Sequence, residues 1–335
     1  MAKTNEKLCE RLKRKNVIWY YNDQKDEDEN ENWIPLNDID NEIVENAFLK
    51  NEKQVELDDY LIDLDKMIQM EKDDYSKKRF VKRSIIETNH QSISLRCQRF
   101  YTTEKPVQSS EENNSKEHCL ISQIQKEFGN LSMNEILHKA SNGIRHEGIL
   151  IGKAIEGEWI ANQLELVAEK SIDEIEKCLI SLYTRESFLY LLINSTLRQN
   201  DQTKLETLGP FISLLSSTDC SSSMSQYGYS QELYRGAQLT DEIIDIYRKS
   251  IGRIRTWNAF SSTSQNRKKA ECFGNVLFVI NRDKSTRYKY SGMNVSSISQ
   301  YPDEEEVLIR ASRNFRVENV EKDDNSGKYF IYLSL

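Results

Sequence analysis

The chain has no run of about 18 apolar residues, so no helix is expected to cross a membrane. It has four histidines (His90, His118, His138, His146) and six cysteines (Cys9, Cys97, Cys119, Cys178, Cys220, Cys272), with no Cys-x-x-Cys pair. Scattered in this way they lack the spacing of a zinc ligand set, so no metal is expected. The opening stretch MAKTNEKLCERLKRKN has no apolar core, so it does not read as a secretory leader. Its cysteines are then expected as free thiols. Positive charge is also in deficit. With 54 acidic against 46 basic residues the net is −8, which argues against nucleic-acid binding by the whole molecule and gives no expectation of a DNA partner.

What is present is enough for two or three domains. The 335 residues are 30% charged and 38% hydrophobic, a soluble composition with polar linkers. Residues 89–118 include TTEKPVQSSEENNSKEH, which is polar and without sustained periodicity. It reads as a flexible linker between a domain at residues 5–88 and another at residues 119–335.

In the first domain VIWYY (Val17–Tyr21) suits a strand, being β-branched and aromatic. NWIPL is a second extended run. LNDIDNEIVENAFLK places Ile39, Ile43 and Ala47 on one helical face, with Val44 and Phe48 beside it and Asn37 or Asp38 as N-cap. QVELDDYLIDLDKMIQM and KKRFVKRSI then alternate like strands. The expectation is a small α+β domain, a twisted sheet packed on one helix.

Trp19, Trp33, the DNEIVENAF helix, YLIDLDKMIQ and RFVKR stand in the order and spacing of a WWE domain, and this stretch resembles that family over roughly residues 10–88. Glu45 matches the family's glutamate. The resemblance implies binding of the iso-ADP-ribose unit of poly(ADP-ribose), or of protein partners. Its ligand set would be Tyr21, Tyr60, Gln69 and Arg79. Such a pocket needs an aromatic wall for the adenine and a guanidinium for the phosphates. Lys77, Lys78, Lys82 and Arg83 would add positive potential nearby.

The later domain begins helical. MNEILHKASNGI, EWIANQLELVAEK and SIDEIEKCLISLYT show 3.6-residue apolar spacing, and Ser171 with Glu174 fits a capping box. YTRESFLYLLINSTLRQ is expected to continue as a helix, and ETLGPFISLLSST to form another.

Three stations follow. In ELYRGAQL, Arg235 stands at the end of an apolar strand before Gly236. In WNAFSSTSQNRKKAECF an SSTS run follows an aromatic strand. Its hydroxyls suit either capping of the next helix or contact with a ligand. In YPDEEEVLI three glutamates run into an apolar strand.

The order Arg, aromatic–Ser–Thr–Ser, Glu–x–Glu resembles the arginine-type mono-ADP-ribosyltransferases over about residues 120–335. NVLFVI, FRVENV and the YTRESFLYLLINSTLR helix fit the same pattern. The resemblance implies an α+β fold with a helical first part and a split two-sheet β core. It implies transfer of one ADP-ribose from NAD⁺, used as substrate, to arginine-bearing proteins. Arg235 would clamp the pyrophosphate or a ribose, Gly236 would offer backbone to the nicotinamide amide, and Ser262 would orient the ribose and the catalytic carboxylate. Glu306 would bond the ribose and stabilise the cation, and Glu304 would face the acceptor. Glu305 would be the solvated spacer, since side chains alternate in extended chain. NAD⁺ glycohydrolysis on the same fold and a catalytically silent ADP-ribose reader are the competing expectations. The absent leader and scattered cysteines point to a cytoplasmic or nuclear location.

Overall fold

The computed structural model describes residues 17–22, 33–85, 107–108, 119–218, 232–281, 292–299 and 301–335. The linker expectation falls outside the described residues, except at Val107–Gln108. The chain divides into two compact units. One holds Met1–Ser94, Arg145–Ile160 and Arg185–Phe188, the other Leu95–Ile144, Ala161–Thr184 and Leu189–Leu335.

Among the described residues the first unit is built on six strands: β1 Val17–Asn22, β2 Trp33–Pro35, β3 Gln54–Glu56, β4 Tyr60–Asp63, β5 Ile68–Glu71 and β6 Lys78–Ile85. They pair antiparallel in the order β2-β1-β6-β5-β4-β3. Helix α1 (Asp38–Leu49) starts where Asn37 accepts hydrogen bonds from the amides of Ile39 and Asp40, at 3.0 and 2.8 Å. It buries Ile39, Val44 and Ala47, whereas Phe48 stays exposed. Val44 and Ala47 join Trp19, Val55, Leu57, Ile62, Leu64 and Val81 in the core.

Segments later in sequence complete this unit. The Asp58 carboxylate accepts from the amides of Ile155 (2.7 Å) and Glu156 (3.2 Å), in the first turn of α4 (Ala154–Val167). It serves as that helix's N-cap from a distant strand turn. Lys153 pairs with Asp59 at 2.6 Å. Glu156 accepts from the Phe188 amide at 2.8 Å, and Asp38 from the Glu186 amide at 2.8 Å. Burial pushes Glu156 up to about 7, and the neighbouring Asp40 and Asp58 push the same way. Asp40 rises to about 6, again chiefly through burial, with Lys153 opposing.

The helices between are α2 (Leu120–Phe128), α3 (Met133–Leu150), α5 (Ile172–Thr184), α6 (Phe188–Gln199) and α7 (Leu205–Ser217). The Ser171–Glu174 capping box forms as expected, with Ser171 Oγ donating to Glu174 at 2.9 Å. YTRESFLYLLINSTLRQ is not one helix. It breaks at Arg185–Ser187, because the Glu186 and Phe188 amides go to the carboxylates of Asp38 and Glu156 instead of to helix carbonyls.

The second unit carries β7 Val107–Gln108, β8 Glu232–Ala237, β9 Ile254–Trp257, β10 Ser261–Ser264, β11 Val276–Asn281, β12 Gly292–Asn294, β13 Glu306–Ile309, β14 Arg313–Lys322 and β15 Tyr329–Ser334. Helix α8 (Asp241–Arg248) precedes β9, and the short α9 (Arg267–Glu271) precedes β11. The strand order is β12-β13-β10-β8-β11-β15-β14-β9-β7. β10 and β8 meet at one residue pair, Ser264 with Tyr234. That seam divides the strands into groups of three and six, the split core that was expected. Trp257, Phe278, Phe315 and Tyr247 pack as an aromatic cluster in the larger group, with ring centroids of Trp257 and Phe315 4.8 Å apart.

Candidate active site

Arg235 and Ser262 meet at the seam, and Glu304 and Glu306 lie across β10 from it. Arg235 lies on β8, one residue past the single β8–β10 pair, and is 2% exposed. Where the two strands diverge, its Nη1 donates to the Ser262 carbonyl at 2.6 Å. A guanidinium takes the place of a ladder bond there. The cleft beside it is lined by Arg235 and Ser262, by Phe260, by Tyr183 of α5, and by Tyr190 and Asn194 of α6. Leu191 and Arg198 complete its α6 wall.

Glu306 opens β13 opposite Ser264 and is buried. Glu304, also buried, ends a 3₁₀ turn over Pro302–Glu304 that begins with proline. Pro302 suits that first position because its fixed φ is already helical and no N–H is needed there. Between them Glu305 sits in the left-handed region, at φ 49° and ψ 44°. The segment is therefore not extended, and strand alternation is not what sends Glu305 outward. The left-handed turn does so, and Glu305 is exposed.

The SSTS hydroxyls resolve differently from the simple alternative. Thr263 Oγ1 donates to the Val307 carbonyl (2.6 Å) and Ser264 Oγ to the Glu304 carbonyl (2.7 Å). Capping of α9 falls to Asn266, whose side chain accepts from the Lys269 amide at 3.3 Å. Ser262 is the member of the run that lines the cleft. Gly236 has a packing reason for being glycine. A Cβ there would lie 2.1 Å from the Ala270 carbonyl oxygen.

The face of α6 was not singled out in the sequence. Tyr190, Asn194 and Arg198 recur at i, i+4 and i+8, a stripe of hydrogen-bonding side chains along one face of the helix. Asn194 Nδ2 donates to the Tyr183 hydroxyl at 2.7 Å, and the Tyr183 ring packs 5.4 Å from that of Phe260.

A second cluster lies on the small sheet. The registers Tyr21↔Val81, Gln69↔Arg79, Ile62↔Gln69 and Tyr60↔Glu71 put Tyr21, Tyr60, Gln69 and Arg79 on one face. The Arg79 guanidinium stands 5.3 Å from the Tyr21 ring centre. Gln69 is 2% exposed, and among the described residues its Oε1 has no hydrogen-bond partner. The same alternation sends Lys78 and Lys82 to the opposite face, where Lys82 lies 4.0 Å over the Trp33 ring. Lys77 pairs with Glu71. Arg83 makes a two-pronged bond to Glu45, both at 2.8 Å. The positive potential expected from these four therefore does not gather at Arg79.

Among the described residues no group of three or more His, Cys, Asp or Glu side chains could hold a metal ion. Cys119, Cys178 and Cys272 are free thiols. No described helix is long and apolar enough to cross a membrane.

The second unit thus has a helical first part and a β core split at a seam, with Arg235 and Ser262 on its two sides and Glu304 and Glu306 beyond β10. The family model for NAD:arginine ADP-ribosyltransferases matches residues 149–334, more than half of the chain. The chain belongs to that family, and it carries a WWE domain, matched over residues 17–83. Mav of Mycobacterium avium (strain 104), which bears the name of an NAD(+)–arginine ADP-ribosyltransferase, is 33% identical over 108 residues. That match takes in 31% of this chain and 12% of Mav, so the chain spans about an eighth of that relative's length. Among solved structures, the ADP-ribosyltransferase HopU1 of Pseudomonas syringae pv. Tomato DC3000 is similar at 20% identity and TM-score 0.41, over 70% of this chain and 99% of HopU1. Exoenzyme S from Pseudomonas aeruginosa, in complex with human 14-3-3 protein beta and bound to Carba-NAD, is similar at 19% identity and TM-score 0.38, over 61% of this chain and 88% of that one.

Proposed function

We propose that this protein transfers a single ADP-ribose from NAD⁺ to arginine side chains of proteins and releases nicotinamide. The observation that supports the reading is that Arg235 bonds the Ser262 carbonyl across the seam while the strand of Ser262 pairs with the strand that Glu306 opens.

The bond from nicotinamide to ribose C1′ breaks with its electron pair going to the ring nitrogen, so nicotinamide leaves neutral. Positive charge is left on the ribose, and the useful protein groups are those that hold the dinucleotide and favour that cation. Arg235 clamps the pyrophosphate or its ribose. Ser262 orients the ribose, and the Gly236 backbone faces the nicotinamide amide. The Glu306 carboxylate bonds a ribose hydroxyl and stabilises the cation. Tyr190 and Asn194 close the cleft from α6. Glu304 binds the incoming guanidinium and helps remove the proton given up as nitrogen bonds to C1′.

On the small sheet, Tyr21, Tyr60, Gln69 and Arg79 take an ADP-ribose unit. The orphaned Gln69 oxygen supports this, since a buried acceptor left without a donor is costly until a ligand supplies one. The module then steers the enzyme toward ADP-ribosylated partners.

One assay tests the activity. The full chain is incubated with labelled NAD⁺ and agmatine. Label on agmatine is the expected result. Free ADP-ribose alone would replace the reading with a glycohydrolase, and no turnover with a silent reader. For the module, ADP-ribose oligomers are titrated against the full chain, and Arg79→Ala is expected to abolish the binding.

A further inference from the structure

The Glu304–Glu305–Glu306 turn is gripped by the segment that follows Ser264. Ser264 Oγ donates to the Glu304 carbonyl at 2.7 Å and accepts from the Asn266 amide at 2.9 Å. The Gln265 amide donates to the Glu305 carbonyl at 3.2 Å. Asn266 Nδ2 donates to the Glu305 carboxylate at 3.2 Å, and Lys269 Nζ to the Asp303 carbonyl. Every residue from Asp303 to Glu305 is thus tied to one six-residue stretch, Ser264–Lys269.

The far side of that stretch is fixed as well. The carbonyl of Ala270 lies against Gly236, so closely that no Cβ fits between. Helix α9 therefore wedges between the Arg235–Gly236 station and the glutamate turn. Glu305 itself holds a left-handed conformation that non-glycine residues seldom adopt without support. The ties just named supply that support. Glu306 is held separately, by its place on β13 and by the Val295 amide on its carbonyl at 3.0 Å.

We propose that Asn266, Glu305 and Lys269 are positioning residues that aim the acceptor carboxylate Glu304, and so set how ADP-ribose is divided between arginine and water. Loosening the clamp frees Glu304 while Glu306 stays in its strand. Cleavage of NAD⁺ then continues, but water takes more of the product. This rests on the assignment of Glu304 to the acceptor.

The test measures ADP-ribosylagmatine, free ADP-ribose and nicotinamide from the full chain. Asn266→Asp keeps an oxygen to cap α9 but loses the donor to Glu305. The ratio of transfer to hydrolysis is expected to fall about tenfold, within what a small misplacement of a reacting group can cause, while nicotinamide release is held. Adding Glu305→Gln to Asn266→Asp restores the bond with donor and acceptor exchanged, and the ratio recovers. Lys269→Met shifts it in the same direction as Asn266→Asp. An unmoved ratio in Asn266→Asp, or a double variant no better than the single one, overturns the proposal. If circular dichroism shows Asn266→Asp unfolded, Glu305→Ala at its exposed site decides by the same ratio. Glu304→Gln is run in parallel, and full arginine transfer by that variant would instead remove the acceptor assignment beneath the clamp.

Discussion

The indole Nε1–H of Trp19 donates to the Glu45 carboxylate at 2.9 Å, inside the core of the small sheet domain. Arg83 holds the same carboxylate with two bonds, its Nε sharing Oε2 with the indole and its Nη2 donating to Oε1. One glutamate therefore satisfies a buried indole and a half-buried guanidinium, each from a different element. Glu45→Ala leaves both without it and should cost about 2–3 kcal/mol, less than a fully buried pair because Arg83 keeps partial access to water. Glu45→Gln can still accept from Trp19 and should cost about 1 kcal/mol. Chemical denaturation followed by tryptophan fluorescence measures both. Equal stability of Glu45→Ala and wild type would show that the contact is ornamental.

Glu306→Gln keeps the shape of the side chain and removes its charge. It should lower nicotinamide release by about 10²–10³-fold, with little change in NAD⁺ affinity, because in the proposed role the carboxylate acts on charge that exists only near the transition state. Glu304→Gln should lose transfer to agmatine and retain NAD⁺ hydrolysis. Turnover and equilibrium dialysis separate the two effects.

Gly236→Ala pushes a methyl group into the Ala270 carbonyl at 2.1 Å. Neither backbone yields cheaply, so α9 must shift. The expected loss is about 1–3 kcal/mol of stability, as for other overpacked sites, with a larger fall in transfer than in folding. Thermal melts beside agmatine assays measure both, and an active, fully stable Gly236→Ala would contradict the tight packing.

Glu156 and Asp40 carry raised values, about 7 and about 6, so the folded state binds their protons more tightly than the unfolded chain does. Their contribution is fully present below the unfolded values and is lost as pH rises through the folded ones. Stability should therefore decline between about pH 4.5 and 7 on their account. Glu156→Gln still accepts from the Phe188 amide and has no charge to bury. At pH 7.5 it should be more stable than wild type by roughly 2 kcal/mol, and its pH dependence flatter. Melts from pH 5 to 8 would reveal a parallel pair of curves if Glu156 did not matter.

Much of this was legible in the sequence because the signals are short-range. The Ser171–Glu174 box, the Asn37 cap and the alternation of β4 to β6 each lie within a few residues. The order of Arg235, Ser262 and Glu304–Glu306 was legible too, although what joins them is not local. The Arg235 tie to the Ser262 carbonyl spans 27 positions. What escaped depends on distant partners or on backbone state. The helix break at Arg185–Ser187 needs Asp38, far earlier in the chain. The left-handed Glu305 carries no residue mark, since glycine or asparagine would have announced it and glutamate does not. The partner of Arg83 lies 38 positions away. Its arginine looked like part of a basic surface until that carboxylate was in view.

Strand β15 joins β11 in parallel and β14 antiparallel, so it lies inside the sheet although it follows every other strand of it in sequence. On the ribosome Arg235, Ser262, Glu304 and Glu306 are all made before Tyr329–Ser334. Until those six residues emerge, β11 presents one open edge along Val276–Ile280, five residues that are buried once the sheet is complete. An apolar edge of that kind pairs readily with another chain. Synthesis, rather than the finished fold, is then the stage at which this chain is most open to unwanted strand pairing.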